Sequence, residues 1–307
     1  MTFWELCSQQ IVLFVLMLIG LYLKRRGTIS DEGARVLTDL CIQIIIPCNI
    51  IKSFMIEFSA QVLVSCGLLL LIALAMQLIG LLLNNFLFNR FPPQQKKILQ
   101  YCSIISNGGF LGTPVAEGIY GDTGLMYASV FLIPMRIMMW SAGTGYFVAG
   151  GTDKKKVIKN VLTHPCLVGV YIGLILMITQ LQLPAVIEKP IRLIGNCNSA
   201  ITMFVIGTIL AKIDFRKLFD KTSWLLSLYR LVVLPAVALL LCLLLKTDPI
   251  ASGVSVVMTG MPAAAMTAVF AARYNSDAEF ATKCVVLSTL LSMVTIPLWV
   301  YAVQAIL

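Results

Sequence analysis

In the first half of the chain runs the stretch Ser106-Asn107-Gly108-Gly109-Phe110-Leu111-Gly112-Thr113-Pro114, three glycines and a proline within a longer apolar segment. Proline lacks a backbone donor and clashes with the preceding turn, and glycine costs a helix about 1 kcal/mol relative to alanine. The stretch predicts a helix interrupted where it should be most regular. Such a break leaves unpaired N–H groups at the start of the second half-helix, where aligned peptide dipoles favour an anion. Thr113 is placed to cap that second half, with Pro114 at its first position. Asn107 is placed to donate to a carboxylate or to accept from a neighbouring half-helix. A second stretch, Thr259-Gly260-Met261-Pro262 followed by Ala263-Ala264-Ala265, repeats the theme. The chemistry indicated is recognition of a small anion by main-chain amides. The alternative is that the glycines serve close helix packing and Pro114 makes a kink.

Four ionisable residues lie inside apolar runs, and such groups are functional candidates by default. Glu117, one turn beyond Pro114, is a candidate carrier of a coupling proton or cation, or simply a first-turn carboxylate favoured by the helix dipole. Arg136, at mid-run, is suited to hold a carboxylate bidentately or to form an ion pair, for instance with Glu117. Arg230 is read as snorkelling to the headgroups, and Asp39 as pairing with Arg35 one turn before it. Asn49, Asn196 and Asn198 either line a substrate cavity or hydrogen-bond between helices. His164 reads as an interfacial residue at the mouth of a span. The nine cysteines are scattered and lack metal-ligand spacing, and they read as buried, reduced thiols. No Walker loop, metal-ligand cluster or nucleophile triad is visible, so hydrolysis and primary active transport find no support.

The elements that must position these residues follow from composition. Of 307 residues, 59% are hydrophobic and 12% charged, and the mean hydropathy is +0.92, which excludes a soluble fold. At about 20 apolar residues per crossing, ten spans fit. They run over about 3–23, 36–54, 61–83, 98–120, 126–149, 165–183, 190–211, 222–245, 250–272 and 280–303. No basic region or cleavage site precedes the first run, which is therefore expected to be a retained span and not a signal peptide. The net charge of +9 is spread over short loops, which makes it a topology signal and argues against a nucleic-acid partner. With the N-terminus outside, only Lys52, Lys189, Arg192 and Lys246 fall in outer loops, and the other loop Lys and Arg fall inside. Both termini are therefore expected outside. Five spans per half is an odd number, so a repeat of the first half by the second must be inverted. An offset near 153 relates Gly20-Leu21 to Gly173-Leu174 and relates the two interrupted runs. The expected division is 1–151, a cytoplasmic linker 152–163, and 164–307.

The chain resembles the auxin efflux carrier family, which includes plant auxin carriers and bacterial malate or malonate permeases. The resemblance is carried by Ile45-Ile46-Pro47, the Asn107-to-Pro114 stretch, Arg230-Leu231 with Leu234-Pro235, Met261-Pro262 through Phe270-Ala271, and Leu287-Ser288-Thr289-Leu290 with Ile296-Pro297. It implies an all-α integral membrane fold of ten transmembrane helices, arranged as two inverted five-helix repeats. Helices 4 and 9 would be broken and would cross. Helices 1, 2, 6 and 7 would form a scaffold, and 3–5 and 8–10 a transport domain that moves like an elevator. Pro114 matches the family's crossing proline. Its counterpart in plant carriers falls at Thr267 here, with Pro262 nearby.

The expectation is a secondary transporter of small organic anions, mono- or dicarboxylates, in a bacterial cytoplasmic membrane, and not an enzyme. The residues expected to bind substrate are Asn107, Gly108, Gly109, Thr113, Pro114, Met261, Pro262, Thr267, Asn49, Asn198 and Arg136, with Glu117 as the coupling candidate. No metal or cofactor is expected, and coupling would be to H+ or Na+. The partners are the organic anion, the bilayer and, through the scaffold helices, a second copy of the chain. The alternatives are a cation/proton antiporter on the same architecture and a membrane-embedded sensor.

Overall fold

The computed structural model describes residues 3–57, 59–143, 145–147, 154–211, 218, 220–274 and 276–306. The expected boundary at 151–152 and the basic residues Lys212, Arg216 and Lys217 lie outside them. Among the described residues there are helices and loops and no strand. In chain order the helices are α1 (Phe3–Arg25), α2 (Asp31–Leu40), α3 (Ile46–Ser53), α4 (Ala60–Leu87), α5 (Pro93–Ile104), α6 (Thr113–Met138), α7 (Lys154–Leu162) and α8 (Pro165–Thr179). There follow α9 (Ala185–Asn196), α10 (Asn198–Leu210), α11 (Lys221–Leu228), α12 (Leu234–Leu245), α13 (Pro249–Thr259), α14 (Met266–Arg273) and α15 (Ala278–Ile306).

Caps set the helix starts. Ser30 accepts from Gly33 N–H ahead of α2, Asp220 from Thr222 and Ser223 N–H ahead of α11, and Asp248 from Ala251 N–H ahead of α13. Each satisfies a backbone donor that the first turn leaves orphaned. Three prolines share a different device. A π-helical turn precedes Pro47 (Cys41–Ile45), Pro114 (Gly108–Gly112) and Pro235 (Tyr229–Val233). In each case the residue just before the proline donates five residues back, Ile46 to Cys41, Thr113 to Gly108 and Leu234 to Tyr229. Widening the helix by one residue absorbs the donor the proline lacks, so the chain stays helical through it.

Six helical runs are long and apolar enough to cross a bilayer among the described residues: Trp4–Arg25, Asp31–Ser53, Ala60–Asn84, Ala185–Leu210, Lys221–Leu245 and Ala278–Ile306. The other expected spans take different forms. One is the 15-residue helix α8; two are the interrupted segments. The fourth is the later part of α6, set off from the earlier part by a kink at Gly121 (φ 64°, ψ −155°), a conformation that glycine alone adopts without strain. On α4, Leu71, Leu74, Leu78 and Leu82 form an exposed stripe at helical spacing, the surface a lipid-facing helix presents.

Close glycine contacts join the outer helices. A Cβ on Gly207 of α10 would lie 2.1 Å from the Met17 carbonyl of α1, and one on Gly20 would lie 2.4 Å from the Phe204 carbonyl. A Cβ on Gly173 of α8 would lie 2.6 Å from the Phe54 ring at the end of α3. Small residues of this kind let helix backbones approach closely in a membrane.

Candidate functional site: the junction of two interrupted helices

After α5 the backbone leaves the helix at Ile105–Asn107, and after α13 it does so over Gly260–Ala265. The two breaks meet. Ser106 and Ala263 form an antiparallel bridge, Asn107 N–H donates to the Pro262 carbonyl (2.8 Å), and Ala264 N–H donates to the Ile105 carbonyl (3.3 Å). Ala263 N–H donates to Ser288 Oγ of α15 (3.1 Å). Each interruption thus supplies the hydrogen bonds that hydrocarbon cannot, the condition on which non-helical backbone is tolerated at membrane depth.

The break lies upstream of Pro114. Asn107, not Thr113, occupies the capping position, and the Asn107 carbonyl already receives Leu111 and Gly112 N–H. The Thr113 hydroxyl turns back to the Gly109 carbonyl (2.9 Å), so Thr113 caps nothing, and Pro114 sits in regular helix. Both readings of these residues are corrected for one reason: the π-turn accommodates the proline. The amides of Gly108, Gly109 and Phe110 make no hydrogen bond among the described residues. Of the glycines here, Gly109 faces open space, whereas a Cβ on Gly108 would strike Leu132 and one on Gly112 would meet Met258 and Met261.

The second segment is more enclosed. Met261 and Pro262 are buried, with carbonyls engaged by Arg230 and Asn107. Thr267, also buried, accepts from the Cys102 thiol (3.5 Å), so its side chain is tied to α5. Asn198, the first residue of α10, is buried with neither carboxamide atom bonded, and α10 packs against the Gly108–Gly112 turn.

Arg230 is the principal correction. It is 3% exposed and does not snorkel. Its Nε donates to the Met261 carbonyl (2.9 Å) and its Nη1 to the Cys102 (2.9 Å) and Ser103 (2.8 Å) carbonyls. Lys52 is the second correction. It is buried at the end of α3, where its ammonium meets Glu117 Oε1 at 2.7 Å, Asn196 Oδ1 at 3.2 Å and Asp122 at 3.4 Å. It therefore marks no outer loop. Asn49 Nδ2 donates to the other Glu117 oxygen (3.0 Å), so Glu117 joins α6 to α3. Glu117 is thus paired with Lys52 and not with Arg136. Arg136 is buried with Nη1 unpartnered, and its neighbours are Cys166 and His164 at the start of α8. Burial first, and the Arg136 charge second, push the His164 imidazole down to about 4. Its neutral ring accepts from Cys166 N–H and caps α8. Asp39 is exposed and makes no ion pair with Arg35.

Sequence reasoning missed the roles of Arg230, Lys52 and Ser288. The available signal was an arginine deep in the apolar run 222–245 with no carboxylate on its own helix, a charge that backbone carbonyls must then satisfy. For Lys52 it was a lysine one turn from Asn49.

A multi-pass membrane protein whose polar centre is the junction of two interrupted helices falls in the class of polytopic carriers. The family model described as "Membrane transport protein" matches residues 7–151 and 153–300, and the chain belongs to that family, the auxin efflux carriers. It is 27% identical to uncharacterized transporter MJ1031 of Methanocaldococcus jannaschii, over 94% of this chain and 96% of that one. It is 28% identical to an uncharacterized transporter of Methanothermobacter thermautotrophicus, over 93% and 94%. It is also 24% identical to uncharacterized transporter YfdV of Escherichia coli K12, over 94% and 95%. The protein is a membrane transporter and not an enzyme.

Proposed function

We propose that the protein is a secondary transporter of small organic anions, mono- or dicarboxylates, whose substrate binds where the two interrupted helices meet. The observation that carries this reading is the row of uncommitted amides at Gly108, Gly109 and Phe110, beside the open space at Gly109. A helix N-terminus with free N–H groups is suited to a carboxylate, and the unbonded carboxamide of Asn198, on the helix packed against that turn, is a further donor; Arg136, with Nη1 unpartnered, is a candidate on the α8 side.

The proposed architecture is ten spans in two inverted five-helix repeats. In support, Gly20 of α1 packs on α10, and Gly173 of α8 packs on α3. These are the first and seventh spans and the sixth and second, the pairs an inverted repeat would make equivalent. In this reading α1–α3 and α8–α10 are the scaffold, and the rest moves as the transport domain. Lys52 and Asn49 on α3 then hold Glu117 of α6 across the moving boundary. We assign that contact as a latch, which must open as the transport domain shifts.

The basic-loop pattern favours both termini outside a bacterial cytoplasmic membrane. An inside-negative potential contributes about 2.3 kcal/mol per charge per 100 mV, so it drives a monoanion outward without a coupling ion.

The test is uptake of labelled malate, malonate and aromatic monocarboxylates into proteoliposomes under imposed voltage, proton and sodium gradients, alongside thermal stabilisation by the same acids. Saturable flux of at least one acid that collapses in Gly109→Leu, with the variant still folded, supports the reading. Absence of flux and of stabilisation by every carboxylate tested refutes it.

A further inference from the structure

We infer that Arg230 is a tethered cation that permanently fills the cation position of the helix junction, which makes the junction selective for anions and independent of sodium. The half-helices α5 and α13 both end at the junction, and the last carbonyls of a helix carry the negative end of its dipole. Two such ends brought together in a low-dielectric interior form a site for a positive charge. Arg230 meets it with three hydrogen bonds, to Cys102 and Ser103 at the end of α5 and to Met261 just after α13. A guanidinium carries five donors in a fixed planar fork. Three bonds through Nε and Nη1 leave Nη2 without a protein acceptor among the described residues.

Beside the guanidinium lies a cavity of about 30 Å³ lined by Arg230, Gln77, Ser103, Ser106 and Thr259 among others. Gln77 Oε1 and Thr259 Oγ1, both buried, have no partner. The space and the polar groups suit one bridging water. They do not suit a metal cation, which would have to sit against a fixed positive charge. The charge is held from α12's side of the fold, by the π-turn Tyr229–Val233, and the Trp299 indole donates to the Leu231 carbonyl of the same turn (2.7 Å). The guanidinium is thereby fixed relative to both breaks and travels with them. The negative helix ends are closed by Arg230, and the positive end at Gly108–Phe110 is left open, so the junction accepts charge of one sign only.

The consequence for coupling rests on the carrier reading, but the tethering does not. The experiment is therefore thermal melting of purified full-length protein in nanodiscs without substrate. In wild type, replacing choline chloride by sodium chloride at constant ionic strength is expected to leave the melting temperature unchanged. Arg230→Ala is expected to melt lower and to regain stability saturably with millimolar guanidinium or ethylguanidinium, but not with isosteric, uncharged urea. Arg230→Lys should retain more stability than Arg230→Gln, because a helix-end site responds to charge and not merely to volume. A sodium-specific, saturable rise in wild type overturns the inference. So does equal rescue of Arg230→Ala by urea. If Arg230→Ala does not fold, the sodium titration of wild type and the order of the Lys and Gln variants decide the matter.

Discussion

Consider removal of the latch between α3 and α6. Lys52 Nζ lies 2.7 Å from Glu117 Oε1, with the lysine side chain 9% and the glutamate side chain 21% exposed. At an effective dielectric of about 20, unit charges at that distance attract by about 6 kcal/mol. Desolvation of the buried ammonium cancels much of this, and hydrogen bonds to charged groups retain a net of about 1.5–3 kcal/mol. Asp122, at 3.4 Å but 46% exposed, adds little, because exposed pairs contribute about 0–1 kcal/mol. Lys52→Met and Glu117→Gln should each destabilise the observed conformation, and a double-mutant cycle should return a coupling of about 1.5–3 kcal/mol. In the elevator reading the pair exists only while α3 and α6 are apposed. Its loss should therefore lower the population of this conformation relative to the alternative by about 10- to 100-fold. Melting in nanodiscs gives the coupling, and hydrogen exchange over 113–121 and 46–53 reports the shift. A coupling below about 0.5 kcal/mol, or unchanged exchange in the double variant, would refute the latch.

Further expectations follow from single contacts. Gly207→Ala would put a Cβ 2.1 Å from the Met17 carbonyl, and backbone cannot yield as a flexible side chain does. The α1–α10 pair should separate, with a loss of about 1–3 kcal/mol or failure to insert, read as a lower melting temperature. Gly109→Ala meets open space and should melt as wild type. Ser288→Ala removes the acceptor for Ala263 N–H at 3.1 Å and should cost about 1–3 kcal/mol, with enhanced exchange confined to 260–266. His164, held near 4 by burial and Arg136, has a folded pKa below its unfolded value of about 6.5. Its contribution is therefore present above pH 6.5 and lost as the pH falls toward 4. His164→Asn, which keeps a cap acceptor, should flatten that acid-side fall in melting temperature.

The interruptions were legible in the sequence because glycine and proline act locally and lipid offers no substitute hydrogen bonds, so a break at membrane depth must be answered inside the protein. Where the break falls was not legible. Pro114 is the most conspicuous residue of its stretch, yet the π-turn ahead of it restores the helix, and the chain parts at Ile105–Asn107. The same turn ahead of Pro47 and Pro235 means that proline alone does not locate a junction in this chain. The partners of buried charge were equally hidden. A carbonyl acceptor has no residue signature, and the Cys102 carbonyl is 128 positions from the arginine that binds it. Lys52 takes its role from Glu117, 65 positions away. Thr267 enters only through the family resemblance, and its side chain is taken up by the Cys102 thiol.

Polarity links the two halves of the junction. A broken helix has a positive end and a negative end, and two broken helices meeting head on bring both kinds to one depth. If all were free, the junction would be indifferent to the sign of its guest. In this chain three carbonyls at the negative ends are bound by one guanidinium, while three amides at a positive end remain uncommitted. In the organic-anion reading, choice of anion over cation then requires no charged residue that contacts the guest. Exchanging the sign of residue 230 should act on selectivity even though that side chain is committed to backbone carbonyls. Arg230→Glu tests this. Should that variant fold and transport anions as wild type does, selectivity resides elsewhere and the dipole ends do not set it.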